Sequence, residues 1–117
     1  MHDFRKLRVW DLSRDLAVAV ERASRAFPRS DHGVVSSQLR RAMISIPANI
    51  AEGCGKSSRK ETLRYFQIAA GSAAEVENHL LIASEFGYLN VGAREELLGQ
   101  LKSIQRMLFK LMKNLPE

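Results

Sequence analysis

The C-terminal stretch that decides the fold class reads LLGQLKSIQRMLFKLMKNL, from Leu97 to Leu115. Its apolar residues recur at spacings of 4, 3, 4, 3 and 4, which is the period of a helix that buries one face. These residues are Leu97, Leu101, Ile104, Leu108, Leu111 and Leu115. Nowhere in the chain do apolar and polar residues alternate with period two over a convincing length. The sequence therefore predicts an all-α protein whose last helix covers about 91–115.

A second apolar repeat lies upstream and predicts a long third helix over about 58–86. Its members are Phe66, Ala69, Ala73, Val76, Leu80 and Ala83. Ser58 and Glu61 have the spacing of a capping box at its start, and Gly87 is placed to end it. The small alanines allow a neighbouring helix to approach closely.

Two further helices precede it. The first is predicted over about 11–27 with Asp11 as its N-cap, and the second over about 35–54. Their inward faces are predicted to hold Leu12, Leu16, Val20, Ala23 and Phe27 in the first helix and Leu39, Met43, Ile46 and Ile50 in the second. Short connections between long helices favour antiparallel neighbours. We therefore expect one domain over 1–117, an antiparallel up-down-up-down four-helix bundle.

Pro47 lies in the middle of the second predicted helix. There it removes a backbone donor and its ring collides with the carbonyl four residues earlier, at a cost of about 3 kcal/mol in a regular helix. Two interpretations stay open. Either the helix continues with a kink, or it breaks in two and Ser45 caps the second part.

The sequence contains polar and apolar residues at regular helical positions that burial in one bundle core does not explain. We expect a structural polar network, which fixes helix register, from Gln38, Arg41, Ser45, Asn49, Glu52 and Glu75. The second helix also has an apolar face opposite its inward face, and the fourth has a second apolar flank. In a bundle this small, such residues predict the interface of a homo-oligomer, formed by Ile44, Ala48, Ala51, Leu98, Phe109 and Met112.

The chain is basic, with 18 Lys and Arg against 13 Asp and Glu and a pI near 9.8. Residues 1–64 carry most of the excess, thirteen basic against seven acidic side chains. Four basic residues lie opposite the apolar face of the fourth helix and are called the basic ridge: Lys102, Arg106, Lys110 and Lys113. Four more surround the start of the third helix and are called the basic cluster: Lys56, Arg59, Lys60 and Arg64. Both sets favour binding of RNA or DNA through phosphates, with little sequence preference.

Patterns for catalysis, cofactors and metals are missing from the sequence. The three histidines are widely separated, and Cys54 is the only cysteine, so neither a zinc site nor a disulfide is indicated. The segment 53–57 resembles the end of a phosphate loop, but Ile50 stands where that motif needs a glycine. No apolar run is long enough to cross a bilayer. We therefore expect a cytosolic protein that is not an enzyme and has no cofactor.

The segment from Ser37 to Gly53 reads SQLRRAMISIPANIAEG and closely resembles the signature of the four-helix-bundle proteins encoded in bacterial 23S rRNA intervening sequences. The likeness continues over nearly the whole chain, in Phe4 through Trp10, Phe27-Pro28, Ile68 through Ser72 with Glu75, and Gly87-Tyr88. The motif is long enough to be specific.

This resemblance implies an antiparallel four-helix bundle that assembles into a ring-like homopentamer. The family is also similar to the accessory variability determinant of diversity-generating retroelements, a basic pentamer that binds nucleic acid and its reverse transcriptase. The implied partners are thus the protein itself, RNA or DNA, and a reverse transcriptase or other protein. The polar residues shared with the family would be Arg41, Asn49, Glu52 and Glu75. An alternative function is a protein-binding scaffold without a direct role at nucleic acid.

Overall fold

The computed structural model describes residues 3–116 as four α-helices with two short 3-10 turns and no strand. The helices are α1 (Arg8–Arg25), α2 (Val34–Cys54), α3 (Arg59–Glu85) and α4 (Val91–Lys113). The 3-10 turns are Phe4–Lys6 and Arg29–Asp31. The molecule is elongated, 49 × 24 × 20 Å, because α3 alone is 27 residues long. The prediction of an all-α chain with four helices is confirmed.

Each helix packs against two others, in the cyclic order α1, α2, α3, α4 and back to α1. Arg59 at the start of α3 donates a hydrogen bond to the carbonyl oxygen of Leu115, just beyond the end of α4. Tyr88 beyond the end of α3 donates to the carboxylate of Asp31, just before α2. Both contacts join the start of one helix to the end of its neighbour, as an up-down-up-down bundle requires.

In α2, α3 and α4 most of the residues that the apolar periods select lie in the core. The predicted inward residues of α2 and of α3 are at most 1% exposed. In α4 the apolar residues Leu97, Leu101, Ile104 and Leu108 are also buried. Hydrophobic burial of these three faces against one another and against α1 holds the bundle together.

α1 begins three residues earlier than predicted, at Arg8, and Asp11 is not its N-cap. The carbonyl of Leu7 already accepts hydrogen bonds from the N–H groups of Trp10 and Asp11. The preceding 3-10 turn has its own cap, since the Asp3 carboxylate accepts from the N–H of Arg5. Asp11 was therefore the wrong signal for the start of α1. The N-cap is Leu7, which makes no side-chain hydrogen bond.

The inward face and the end of α1 also differ from the prediction. Val9 and Ser13 are buried, whereas Leu12, Ala23 and Phe27 are only partly buried. Ser13 enters the core because its hydroxyl donates to the carbonyl of Trp10 at 2.9 Å, which satisfies its polar atom inside the helix. The helix ends at Arg25, two residues before the predicted end, because the following N–H groups bond three residues back instead of four.

Pro47 lies inside one continuous helix, so the break in two is wrong. Polar side chains support the helix around it. The Asn49 amide donates to the carbonyl oxygen of Ser45 at 2.8 Å and to its hydroxyl at 2.9 Å. That hydroxyl also hydrogen-bonds the hydroxyl of Ser72 in α3 at 2.7 Å. The segment carrying Pro47 is thereby fixed to the neighbouring helix.

α2 approaches α3 closely at the end of α2, where Gly53 faces Phe66 of α3. A Cβ on Gly53 would lie 2.7 Å from Cε1 of Phe66, closer than real contacts allow. The Thr62 hydroxyl donates to the Gly53 carbonyl at 3.0 Å. We call Ser45, Gly53, Thr62, Phe66 and Ser72 the α2–α3 seam. Glycine is needed there because only a hydrogen atom fits beneath the buried ring.

The predicted caps of α3 are confirmed. The Ser58 hydroxyl accepts from the N–H of Glu61 at 3.2 Å. At the other end Gly87 adopts φ 81°, and the N–H of Tyr88 reaches the carbonyl of Ala83, as in a Schellman motif. α4 begins at the predicted residue, behind Asn90, but ends at Lys113, two residues early.

Candidate nucleic-acid interface

The basic cluster lies at the same end of the bundle as Lys113, the last residue of the basic ridge. Nε of Arg59 lies 3.4 Å from the carbonyl oxygen of Leu115, which follows the last turn of α4. A small groove of about 190 Å³ lies between the two segments, lined by residues 56–59 and by Leu115 and Pro116. Antiparallel packing of α3 against α4 thus combines two sets of cations that are about 50 residues apart in sequence.

The basic ridge is open to solvent. All four of its side chains are exposed, and within residues 3–116 none lies within 4 Å of a carboxylate. At 1.5 Å per residue the ridge is about 16 Å long from Lys102 to Lys113. Its charge is therefore available to a partner and is not neutralised by the protein's own acids.

The basic cluster is partly tied to other side chains. Lys56 lies 3.4 Å from the Glu52 carboxylate, and its ammonium lies 5.1 Å from the ring centroid of Tyr65. The guanidinium of Arg64 lies 5.3 Å from the same ring. Lys60 and Arg64 are exposed. Three of the four members thus have no acidic partner in the described part of the chain.

The predicted polar network is only partly joined in the single chain. Ser45 and Asn49 bond to each other, and Ser45 reaches Ser72. Glu52 pairs with Lys56. The remaining members are exposed and make no hydrogen bond or ion pair within residues 3–116; they are Gln38, Arg41 and Glu75. The sequence interpretation missed Ser72, although its position beside Ala69 and Ala73 on the buried face of α3 was the available signal.

The predicted interface residues form two separate patches. Ile44 is 62% exposed and Ala48 is exposed beside it on α2. Phe109 is 67% exposed on α4, where Leu98 and Met112 are partly buried. Ala51 is also partly buried. Because α2 and α4 are diagonal in the bundle, these two patches lie on different sides of the chain.

A groove of about 530 Å³ lies between α1 and α2 and was not predicted. The exposed Val18 and Ile44 contribute apolar surface to it. Arginines line it as well: Arg14, Arg22, Arg25 and Arg40. The carboxylate of Glu21 lies 3.3 Å from Arg25 and 3.5 Å from Arg40. The signal in the sequence was the repetition of arginine at helical spacing around Val18.

The structure adds no support for catalysis at the cysteine. Burial raises the pKa of the Cys54 thiol, which disfavours the reactive thiolate. Among residues 3–116, no three His, Cys, Asp or Glu side chains are grouped so that they could hold a metal ion. The same residues include no helix with the length and apolarity needed to cross a membrane.

Comparison with known proteins places this geometry in a family. The chain is similar to a protein of unknown function from the S23 ribosomal protein family of Bacteroides thetaiotaomicron VPI-5482, whose crystal structure has been solved. The two share 26% identity with a TM-score of 0.84, over 91% of this chain and 99% of the other. No curated protein matches. The family model for 23S rRNA-intervening sequence proteins matches residues 5–110, so the chain belongs to the 23S rRNA-intervening sequence protein family.

Proposed function

We propose that the protein is a non-enzymatic, cytoplasmic helical bundle that assembles into a homo-oligomeric ring and binds RNA or DNA through phosphates. The observation that carries this proposal is the hydrogen bond between Arg59 and the Leu115 carbonyl. It places the basic cluster at the same end of the bundle as Lys113, the last residue of the basic ridge, which supports a shared binding surface. We call the two sets together the basic strip.

The chemistry of the basic strip suits a nucleic-acid backbone. Seven of its eight side chains have no carboxylate within 4 Å among residues 3–116, so a bound phosphate does not have to displace an internal partner. The start of α3 adds the positive end of a helix dipole. A backbone binder of this kind releases counterions, and each neutralised phosphate contributes about 0.7 to 0.9 to the slope of log affinity against log salt.

Two apolar patches support the proposed assembly. An interface in which one patch meets itself would leave the other patch exposed. A head-to-tail contact, in which the α2 patch of one protomer meets the α4 patch of the next, covers both and generates a ring when the rotation closes. The resemblance suggests five protomers. Light scattering would then give a mass of five times 13.2 kDa, and a monomer would contradict the ring.

The binding test compares two variants that lose the same charge. In the ridge variant, Lys102, Arg106, Lys110 and Lys113 are all changed to Gln. In the control, the groove arginines Arg14, Arg22, Arg25 and Arg40 are all changed to Gln. Affinity for a short RNA duplex is measured by fluorescence anisotropy between about 50 and 200 mM salt.

We expect the ridge variant to bind weakly and with a reduced salt slope, while the control stays close to wild type. Equal losses in both variants would show that net charge alone governs binding and would contradict a defined interface. An affinity of the wild-type protein that does not change with salt would contradict phosphate binding altogether.

The groove between α1 and α2 favours a second candidate function, a protein-binding scaffold. Its exposed apolar surface at Val18 and Ile44 offers what a partner helix needs. For this candidate, a co-expressed reverse transcriptase of the kind the resemblance implies would be retained by the ridge variant and lost on Ile44→Glu. Retention by Ile44→Glu would remove the groove as the docking site.

A further inference from the structure

A groove of about 360 Å³ lies between the start of α1 and the end of α4, and we call it the α1–α4 groove. Its apolar lining includes Leu7, Met107 and Leu111, which are only partly buried against the core. The volume lies near the lower end of the range of about 300–1,000 Å³ that is typical of pockets for small organic molecules. The bundle therefore leaves an apolar surface here that its own core does not fill.

The α1–α4 groove lies outside the two apolar patches of the proposed ring. Successive residues of a helix point about 100° apart, so Met107 and Phe109 lie on opposite flanks of the buried Leu108. The Phe109 flank faces α3, where Gln105 donates a hydrogen bond to the Glu77 carboxylate at 3.2 Å. The Met107 flank faces α1. A head-to-tail contact that covers Phe109 therefore does not use this groove.

Two exposed cations line the same groove, Arg8 from α1 and Lys110 from the basic ridge. Neither has a carboxylate within 4 Å among residues 3–116. Because Lys110 belongs to both surfaces, the groove opens directly beside the basic ridge. A nucleic-acid backbone that lies on the ridge thus passes the mouth of the groove.

Asn114 adds a polar group that suits the edge of a nucleobase. Its backbone N–H donates to the Lys110 carbonyl, but its side-chain amide is exposed in the groove and makes no hydrogen bond within the described residues 3–116. An amide both donates and accepts hydrogen bonds, as base edges do. The flat face of a base packs against apolar side chains or an Arg guanidinium, and Arg8 supplies such a guanidinium.

These features together fit one nucleotide of a single strand. Resting on the proposed binding of nucleic acid, we propose that the α1–α4 groove holds an unstacked base of single-stranded RNA or DNA whose phosphates lie on the basic ridge. A duplex keeps its bases stacked inside and presents phosphates and sugars, so it cannot fill the groove.

The first test compares two single strands of equal charge, an oligothymidylate of about 20 nucleotides and an oligomer of the same length whose sugars carry no bases. Wild type should bind the oligothymidylate about tenfold more tightly, because an inserted base removes about 60 Å² of apolar surface from water. Met107→Ala removes part of the apolar lining and should reduce this difference below about threefold, whereas Met107→Leu should keep it. Affinity for the abasic oligomer should stay within about twofold in both variants, because their charges are unchanged.

Two further variants support this comparison. Asn114→Ala changes an exposed side chain, so it tests the groove even if Met107→Ala fails to fold. It should weaken binding of the oligothymidylate and leave binding of the abasic oligomer unchanged. Leu81→Ala is the matched control, since Leu81 is 43% exposed on α3 and does not line the groove. It should keep the full difference between the two probes.

A second measurement locates the base directly. An oligothymidylate that contains 4-thiothymidine is irradiated in complex with the wild-type protein, and mass spectrometry identifies the attached residues. We expect attachment at the start of α1 and at 107–114. Attachment only to α2 or α3 would overturn the placement of the base.

The outcomes separate this proposal from the proposed function. Equal affinity of wild type for the two single strands overturns base insertion and leaves phosphate binding intact. An undiminished difference in both Met107→Ala and Asn114→Ala overturns the groove as the site of the base. Absence of binding to either probe overturns the proposed function itself.

Discussion

The α2–α3 seam and the basic ridge are both built on long helices, but they differ in what restricts their residues. In the seam, Gly53 has no room for a Cβ beside Phe66, and the Ser45 and Ser72 hydroxyls satisfy each other. On the ridge, four long cations extend into solvent without an acidic partner in the described chain. The seam residues are set by packing, whereas the fold does not require the ridge residues and leaves them free for binding.

The strongest test of this comparison is replacement of one side chain by alanine in each region. Phe66→Ala should lower the free energy of unfolding by about 3–5 kcal/mol, because it empties a fully buried site. Arg106→Ala should change it by less than about 0.5 kcal/mol, because the side chain is exposed and has no acidic partner within residues 3–116. Urea unfolding followed by circular dichroism, at one protein concentration, measures both. Similar losses would mean that the fold depends on the ridge side chain as much as on the seam.

Two glycines of the same bundle allow a second test. Gly53→Ala should cost about 1–3 kcal/mol of unfolding free energy, since the new methyl group meets the Phe66 ring. Gly71→Ala, where nothing lies within 4 Å of the added Cβ, should instead stabilise α3 by about 0.5–1 kcal/mol. Thermal unfolding of the two variants distinguishes them. A neutral Gly53→Ala would show that α2 and α3 can move apart at little cost.

A smaller effect is expected at Asn49, whose side chain bonds the seam residue Ser45. Asn49→Leu removes both hydrogen bonds to Ser45 and should lower the free energy of unfolding by about 0.5–1.5 kcal/mol. Gln38→Leu is the control on the same helix, because Gln38 is exposed and makes no hydrogen bond within residues 3–116. A fully stable and fully assembled Asn49→Leu protein would indicate that the polar stripe serves binding instead.

The smallest effect concerns pH. Burial raises the pKa of Tyr88 above its ordinary value of 10.0, and the Asp31 carboxylate raises it further. The folded state therefore favours the protonated phenol, so its stabilisation is complete below about pH 10 and is lost as the pH rises through the folded-state pKa. Alkaline unfolding of Tyr88→Phe should consequently depend less on pH than that of wild type. Identical pH profiles would contradict the coupling.

Local patterns predicted the helices well and their ends less well. The N-cap Ser58 and the glycine Gly87 act where the sequence places them, because both work within one turn of helix. The start of α1 was wrong because Asp11 resembles a cap locally, whereas the preceding 3-10 turn lets the helix begin at Arg8. The sequence also left open whether α2 continues through Pro47. Ser45, the alternative cap, instead bonds Ser72 on another helix, which local patterns do not reveal.

The candidate nucleic-acid interface shows the same difference between local sequence pattern and helix packing. The members of the basic ridge could be named from the sequence because a single helix places them on one face. That the basic cluster lies beside the ridge end depends on how α3 packs against α4, and helical period carries no information on that. The groove of arginines between α1 and α2 likewise required the arrangement of two helices.

The sequence by itself determined four amphipathic helices, their inward faces in α2, α3 and α4, and a basic surface, because hydrophobic period and charge are properties of one chain segment at a time. Only the tertiary structure decided which surfaces became neighbours: Gly53 beneath Phe66, Ser45 against Ser72, and Arg59 beside Leu115. The physical reason is that these contacts join residues up to 56 positions apart, and their geometry depends on how closely whole helices pack.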